Sequence, residues 1–122
     1  MKRIILEMGT GNDLYGENYT KAACRAVDDA LHHSSLILFR SLGLDHTEMK
    51  VQVTIAVQKP EKVDVAVVAA KLPRGAPNVQ VVQGGLDVVD DVHETRSVIA
   101  TAAVEAYLNI NEAQWVKSPF AG

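Results

Sequence analysis

Along Lys50–Val57 apolar and polar positions alternate, with Val51, Val53, Ile55 and Val57 on one side and Gln52, Thr54 and Ala56 on the other. A period of two predicts a half-buried strand. Residues 3–8, RIILEM, form a shorter β-rich run that stops at Gly9. Ile4, Leu6 and Met8 fall on one face of that run, Arg3, Ile5 and Glu7 on the other. Between the two runs the period changes. From Asn18 to about Leu31 the apolar residues Ala22, Ala23, Ala26, Val27, Ala30 and Leu31 recur at helical spacing, while Lys21, Arg25, Asp28 and Asp29 face outward. An amphipathic helix is expected there, and its pattern can run on through SSLILFRSL until Gly43 stops it.

Residues 61–72 read either as a strand, from their valines, or as a short helix capped by Asp64. The helix is preferred, because Val67, Val68, Ala70 and Leu72 fit one face and Pro73 and Gly75 follow. NVQVV at 78–82 predicts a third strand, closed by Gly84-Gly85. Asp91 with Glu94 three residues on resembles a capping box. The repeat of Val98, Ile99, Ala102, Ala103, Ala106 and Tyr107 then predicts a last helix.

The expected order is β-α-β-α-β-α. It implies an α/β fold, a small two-layer sandwich of three to four strands with helices on one face. Gln52, Thr54 and Gln80 make the second sheet face mixed in polarity, unlike a sheet covered on both sides. Such a face is expected to be covered by another subunit or to line a site, so a homo-oligomer is anticipated. One domain should span 1–108, with a tail at 109–122 in which Trp115 and Phe120 anchor onto the domain or a neighbouring subunit.

Composition narrows the function. The chain has 122 residues and a net charge of −3 with no basic block, which argues against nucleic acid as a partner. No apolar run approaches a membrane span. The lone Cys24 rules out an intramolecular disulfide, and a reducing cytoplasm is the default location.

The densest candidate chemistry is GTGNDLYG at 9–16, between the first strand and the first helix. Glycines at a strand-to-helix junction expose backbone N–H groups beside a helix N-terminus and favour an anion. The spacing Gly9-x-Gly11, then Gly16, matches neither the dinucleotide fingerprint nor a P-loop. Asp13 suits a general base, an acceptor for a substrate N–H or O–H, or a metal ligand; as a plain structural residue it would cap the turn. Glu7, two residues before the loop, is a candidate acid/base partner for Asp13, or else a salt-bridge residue for Arg3 or Lys50. Asp90, Asp91, His93 and Glu94 form the densest group of potential hard ligands, but match no metal motif, and no metal site is assigned. His32 and His33 fit a helix C-terminus, His46 lies in a polar loop, and Cys24 reads as a small core residue. Arg96, Lys71 and Arg74 offer positive charge.

The same stretch, Gly9-Thr10-Gly11-Asn12-Asp13-Leu14-Tyr15-Gly16, resembles the GxGxDxHG signature of a small family of conserved hypothetical proteins first catalogued in Listeria. The resemblance extends over Pro60–Asp64, Leu72–Gly75 and Gly84–Leu86, covering roughly residues 2–107. Tyr15 stands where the family has histidine. A phenol, with a pKa of about 10, is a poor base near neutrality but a competent hydrogen-bond donor. The family implies no particular chemistry, since it is uncharacterised. The reading that emerges is a small homo-oligomeric enzyme of hydrolase or isomerase type acting on a small polar or anionic metabolite. Asp13, Tyr15 and Glu7 would be its catalytic candidates, Gly9, Gly11, Asn12 and Gly16 its ligand-binding ones, with no redox cofactor implied. The alternative is a non-catalytic ligand-binding or assembly protein in which the loop is a subunit contact.

Overall fold

A computed structural model describes residues 2–32, 50–72 and 76–108. Strand β1 (Lys2–Asp13) leads into helix α1 (Tyr19–His32). Strand β2 (Lys50–Val57) is followed by a 3-10 turn (Pro60–Lys62) and helix α2 (Val65–Ala69). Strands β3 (Ala76–Gln83), β4 (Leu86–Asp90) and β5 (Thr95–Leu108) complete the order.

This overturns the expected fold class. The order is β-α-β-α-β-β-β, and the described strands form one five-stranded mixed sheet rather than a three- to four-stranded α/β sandwich. The element expected as the last helix is β5, the centre of the sheet. Its even positions from Val98 to Ala106 are all buried, which is the period of a strand. Asp91 and Glu94 cap no helix; they lie in the turn of the β4–β5 hairpin, where Glu94 has a φ of +52°. The helical reading arose because Val and Ala fill this stretch so densely that periods of 2 and 3.6 both fit.

The sheet order is β1-β5-β2-β3, with β4 also on β5. One edge of β5 is paired along its length with β1, antiparallel from Lys2↔Leu108 to Asp13↔Val98. Its other edge is shared. β2 pairs as far as Ala56↔Thr101, and β4 takes over at Leu86↔Ile99. The chain leaves the sheet after β2, returns as β3 parallel to it, and then steps sideways into the column that β2 vacated. Gly84-Gly85 makes that step. Gly84 N donates to Val57 O at 2.9 Å, and Gln58 Nε2 donates to the carbonyls of both glycines. Gly85 has φ +63°, and a side chain there would meet Ile99 O at 2.3 Å, so only glycine suits the step.

The core lies between the helices and one sheet face. Val27, Val53, Ile55, Val57, Val68 and Val98 are fully buried in it. Asp64 caps α2, its side chain accepting from Ala66 N at 3.1 Å, and Val68 is the residue that helix buries. Among the described residues no helix is long and apolar enough to cross a membrane. The anticipated continuation of α1 to Gly43, and the tail with Trp115 and Phe120, lie outside the described residues.

Candidate functional site

Gly9 and Gly11 lie inside β1 rather than in the turn beyond it. A Cβ on Gly9 would stand 2.4 Å from Ala30 N, and one on Gly11 2.3 Å from Ala26 N. The glycines therefore let the α1 backbone lie directly on the strand, with Ala22, Ala26 and Ala30 as the helix surface that meets it. Amides alternate in direction along a strand. Thr10 N points outward and donates to Asp29 Oδ2 at 2.9 Å, so the amides of Gly9 and Gly11 point into the ladder with β5. They are used in the sheet and do not form an anion cradle. Asn12 is exposed on the opposite face, and its carbonyl accepts from Arg25 Nη1.

Asp13 ends β1 and is 6% exposed. Its Oδ2 accepts from Asn18 N at 2.9 Å, closing the 14–18 loop, and its Oδ1 lies 3.7 Å from Arg25 Nη1. Asn18 in turn caps α1, its Oδ1 accepting from Lys21 N at 3.0 Å. Gly16 packs over the same carboxylate, since a Cβ there would lie 2.6 Å from Asp13 Oδ2. Tyr15 projects from this loop and is 83% exposed. Glu7 sits opposite Val104 on the helix-covered face. At about 3.4 Å per residue, β1 holds it ~20 Å from Asp13, too far for the two to form an acid/base couple.

A cluster that the sequence analysis did not assemble lies beside this loop. Val98 of β5 pairs with Asp13 on one side and with Asp87 of β4 on the other, so the two aspartates flank it in one row across three strands. Directly opposed residues share a face, here the one α1 covers. Tyr19, the first residue of α1, is buried above this row, and its OH donates to Asp87 Oδ2 at 2.5 Å. Arg96 Nη1 stands 3.8 Å from the same oxygen. Asp87 Oδ1 is fully buried and has no partner among the described residues.

Burial, then the bond to Asp87, pushes the Tyr19 phenol above its ordinary value. The hydrogen bond with Tyr19 is the main influence raising Arg96. Lys62 Nζ sits 6.0 Å from the centre of the Tyr19 ring. The arrangement can hold a neutral phenol as donor, a carboxylate oxygen as acceptor, and a guanidinium for an anionic group. By sequence alone Arg96 is one general cation among several. Asp87 would have stood out had residues 86–90 been read as a strand, because it falls on that strand's inward face. Tyr19 carried no local signal.

Asp90 and His93 bond to each other in the β4–β5 turn. Asp90 Oδ1 accepts from Val92 N and His93 N, and its Oδ2 lies 2.8 Å from His93 Nδ1. The His93 side chain is the first cause holding the Asp90 carboxyl below its usual range. The group organises a hairpin turn, and among the described residues no three potential ligands are placed to share a metal ion. Cys24 is buried on α1, and burial raises its thiol pKa, the reverse of an activated nucleophile. His32 ends α1 and is exposed; His33, His46 and Arg74 lie outside the described residues.

Comparison with known proteins places this fold. It is similar to the crystal structure of an FtsZ-like protein of unknown function from Nostoc punctiforme PCC 73102, at 37% identity and a TM-score of 0.78. The alignment covers 89% of this chain and 97% of that one. No curated protein matches. A family model described as a conserved hypothetical protein matches residues 3–106, a span that contains Asp13, Tyr19, Asp87 and Arg96. This chain therefore belongs to the Lin0512 family of conserved hypothetical proteins.

Proposed function

We propose that the chain binds a small polar molecule where α1 begins, and acts on it by proton transfer as a hydrolase- or isomerase-type enzyme. The observation that carries this reading is the unpartnered Asp87 Oδ1 beside an oxygen already engaged by Tyr19. Leaving a buried acceptor unpaired costs about 1–3 kcal/mol, and a ligand N–H or O–H that reaches it removes that cost. Asp87 is the acceptor and proton-holding group in this scheme. Tyr19, kept protonated by its raised pKa, donates to Asp87 Oδ2 and fixes that carboxylate with its other oxygen free, and Arg96 attracts an anionic substituent. Asp13 acts by shaping the loop, and Tyr15 at its rim supplies a further hydrogen bond. Glu7 and the amides of Gly9 and Gly11 take no part.

A second reading, in which the loop is a contact between subunits, draws on the neighbouring exposed side chains of Leu14 and Tyr15. A thermal-shift screen distinguishes the two. Purified wild type, Asp13→Ala and Asp87→Asn are heated with small anionic metabolites, amides and divalent metals. A ligand at ~100 times its dissociation constant adds roughly 2.7 kcal/mol. A compound that stabilises the wild type but not Asp87→Asn supports the proposal. If no compound shifts the wild type, while Asp13→Ala changes the oligomeric state, the subunit-contact reading replaces it.

A further inference from the structure

The helices cover one face of the sheet; the other is open among the described residues. Pairing sets its side chains in rows across the strands. One row runs Met8–Ala103–Thr54–Gln80. The next three pass through Thr101, Ile99 and Ser97 of β5, taking in Thr10, Leu86 and Val88. No residue in these four rows is ionisable. Charges appear only at the margins of the face, with Arg3, Lys50 and Glu105 toward one end and Asp90 at the other. A solvated surface carries roughly 25–35% charged residues, so an uncharged patch across the width of a sheet departs from what water selects. Loss of charge and the presence of Met are what the middle of a protein interface shows. Met8 is 67% exposed, Leu86 53% and Val88 47%.

We infer that this face packs against the same face of a second copy of the chain, sheet on sheet about a two-fold axis. Three features select a copy of itself as the occupant. Thr, Ser, Asn and Gln each donate and accept, so the face is complementary to its own image. Without charge in its middle, it does not repel that image. The area also fits. Four strand columns at ~4.8 Å span ~19 Å, and the length of β5 at ~3.4 Å per residue is ~48 Å. Allowing for the shorter β3, the face projects ~800 Å² per chain, the standard contribution of one partner to a stable interface. The inference stands apart from the proposed binding site, which lies on the helix-covered side.

Analytical ultracentrifugation of the full chain, across roughly 1–100 µM, tests it. The wild type should sediment as twice the 13.2 kDa chain. Thr101→Lys puts a charge at the centre of the face and should yield a monomer with wild-type circular dichroism. Met8→Lys, on the outer strand, should do the same if Thr101→Lys folds poorly. Lys21→Glu, on the exposed side of α1, should leave the dimer intact. A wild type monomeric over the whole range overturns the inference, and so does a dimer indifferent to both lysine substitutions.

Discussion

Replacing Gly11 with alanine tests whether the glycines of β1 exist for packing. The added carbon would lie 2.3 Å from Ala26 N and 2.5 Å from Ala22 O, where carbon contacts normally rest at about 3.5–4.0 Å. Both are main-chain atoms, so no rotamer can yield, and α1 must retreat by ~1 Å or more. That retreat loosens Ala22, Ala23, Ala26, Val27 and Ala30 together, each of them fully buried. Overpacking costs about 1–3 kcal/mol where neighbours can adjust, and with rigid neighbours the upper end, ~3 kcal/mol, is expected. At roughly 3–6 °C per kcal/mol for a domain of this size, Tm should fall by ~10–15 °C. Urea and thermal unfolding followed by circular dichroism measure this. Thr10→Ala, between the glycines but on the opposite face, should stay within ~1 kcal/mol of wild type. Adding Ala26→Gly to Gly11→Ala should not restore stability, because the helix atoms in the way are backbone, and a mid-helix glycine costs about 1 kcal/mol itself. A Gly11→Ala protein as stable as wild type, or a rescue by Ala26→Gly, would refute the packing argument.

Two further outcomes are expected. Tyr19→Phe removes the donor to Asp87 and should cost ~1–3 kcal/mol at neutral pH. Because the folded pKa of Tyr19 is raised above its unfolded value of about 10, its contribution is intact below pH ~10 and lost as pH climbs through the folded value. The stability gap between wild type and Tyr19→Phe should therefore narrow in alkali, and a gap constant to pH 12 would sink the assignment. Gly85→Ala combines a positive φ with a contact at 2.3 Å and should destabilise by at least ~2 kcal/mol in urea unfolding. A neutral effect would mean that the step from β3 to β4 does not require that conformation.

What could be read from the sequence was local. The inner face of α1, through Ala22, Ala26 and Ala30, follows from its own spacing, and β2 from its alternation. Asp64 signals the start of α2 for the same reason. β5 was hidden because alanine is a strong helix former and the Asp91/Glu94 pair imitates a cap. What makes it a strand is pairing with β1, close to the other end of the chain, and no window along the sequence contains that partner. The candidate site divides the same way. The glycine cluster drew attention to Asp13, but Tyr19 and Asp87 meet across 68 residues. Gly9 and Gly11 were visible as unusual; that their reason is the proximity of a helix backbone is a tertiary fact.

The position of β5 has a consequence for how the molecule comes into being. It is the last of the described elements to be made, yet β1, β2 and β4 all pair with it. On the ribosome, then, β1 and β4 wait for a partner, and β2 has only β3, until residues near 108 emerge. At about 5–20 residues per second, β1 spends roughly 5–20 s with its inner edge open. The topology is one of high contact order, in which distant pairing must precede the gain from burial. In that interval α1 and β1, joined by a short loop and matched glycine to alanine, can cover each other's facing surfaces, as β2 and β3 can pair, before β5 arrives to close the sheet.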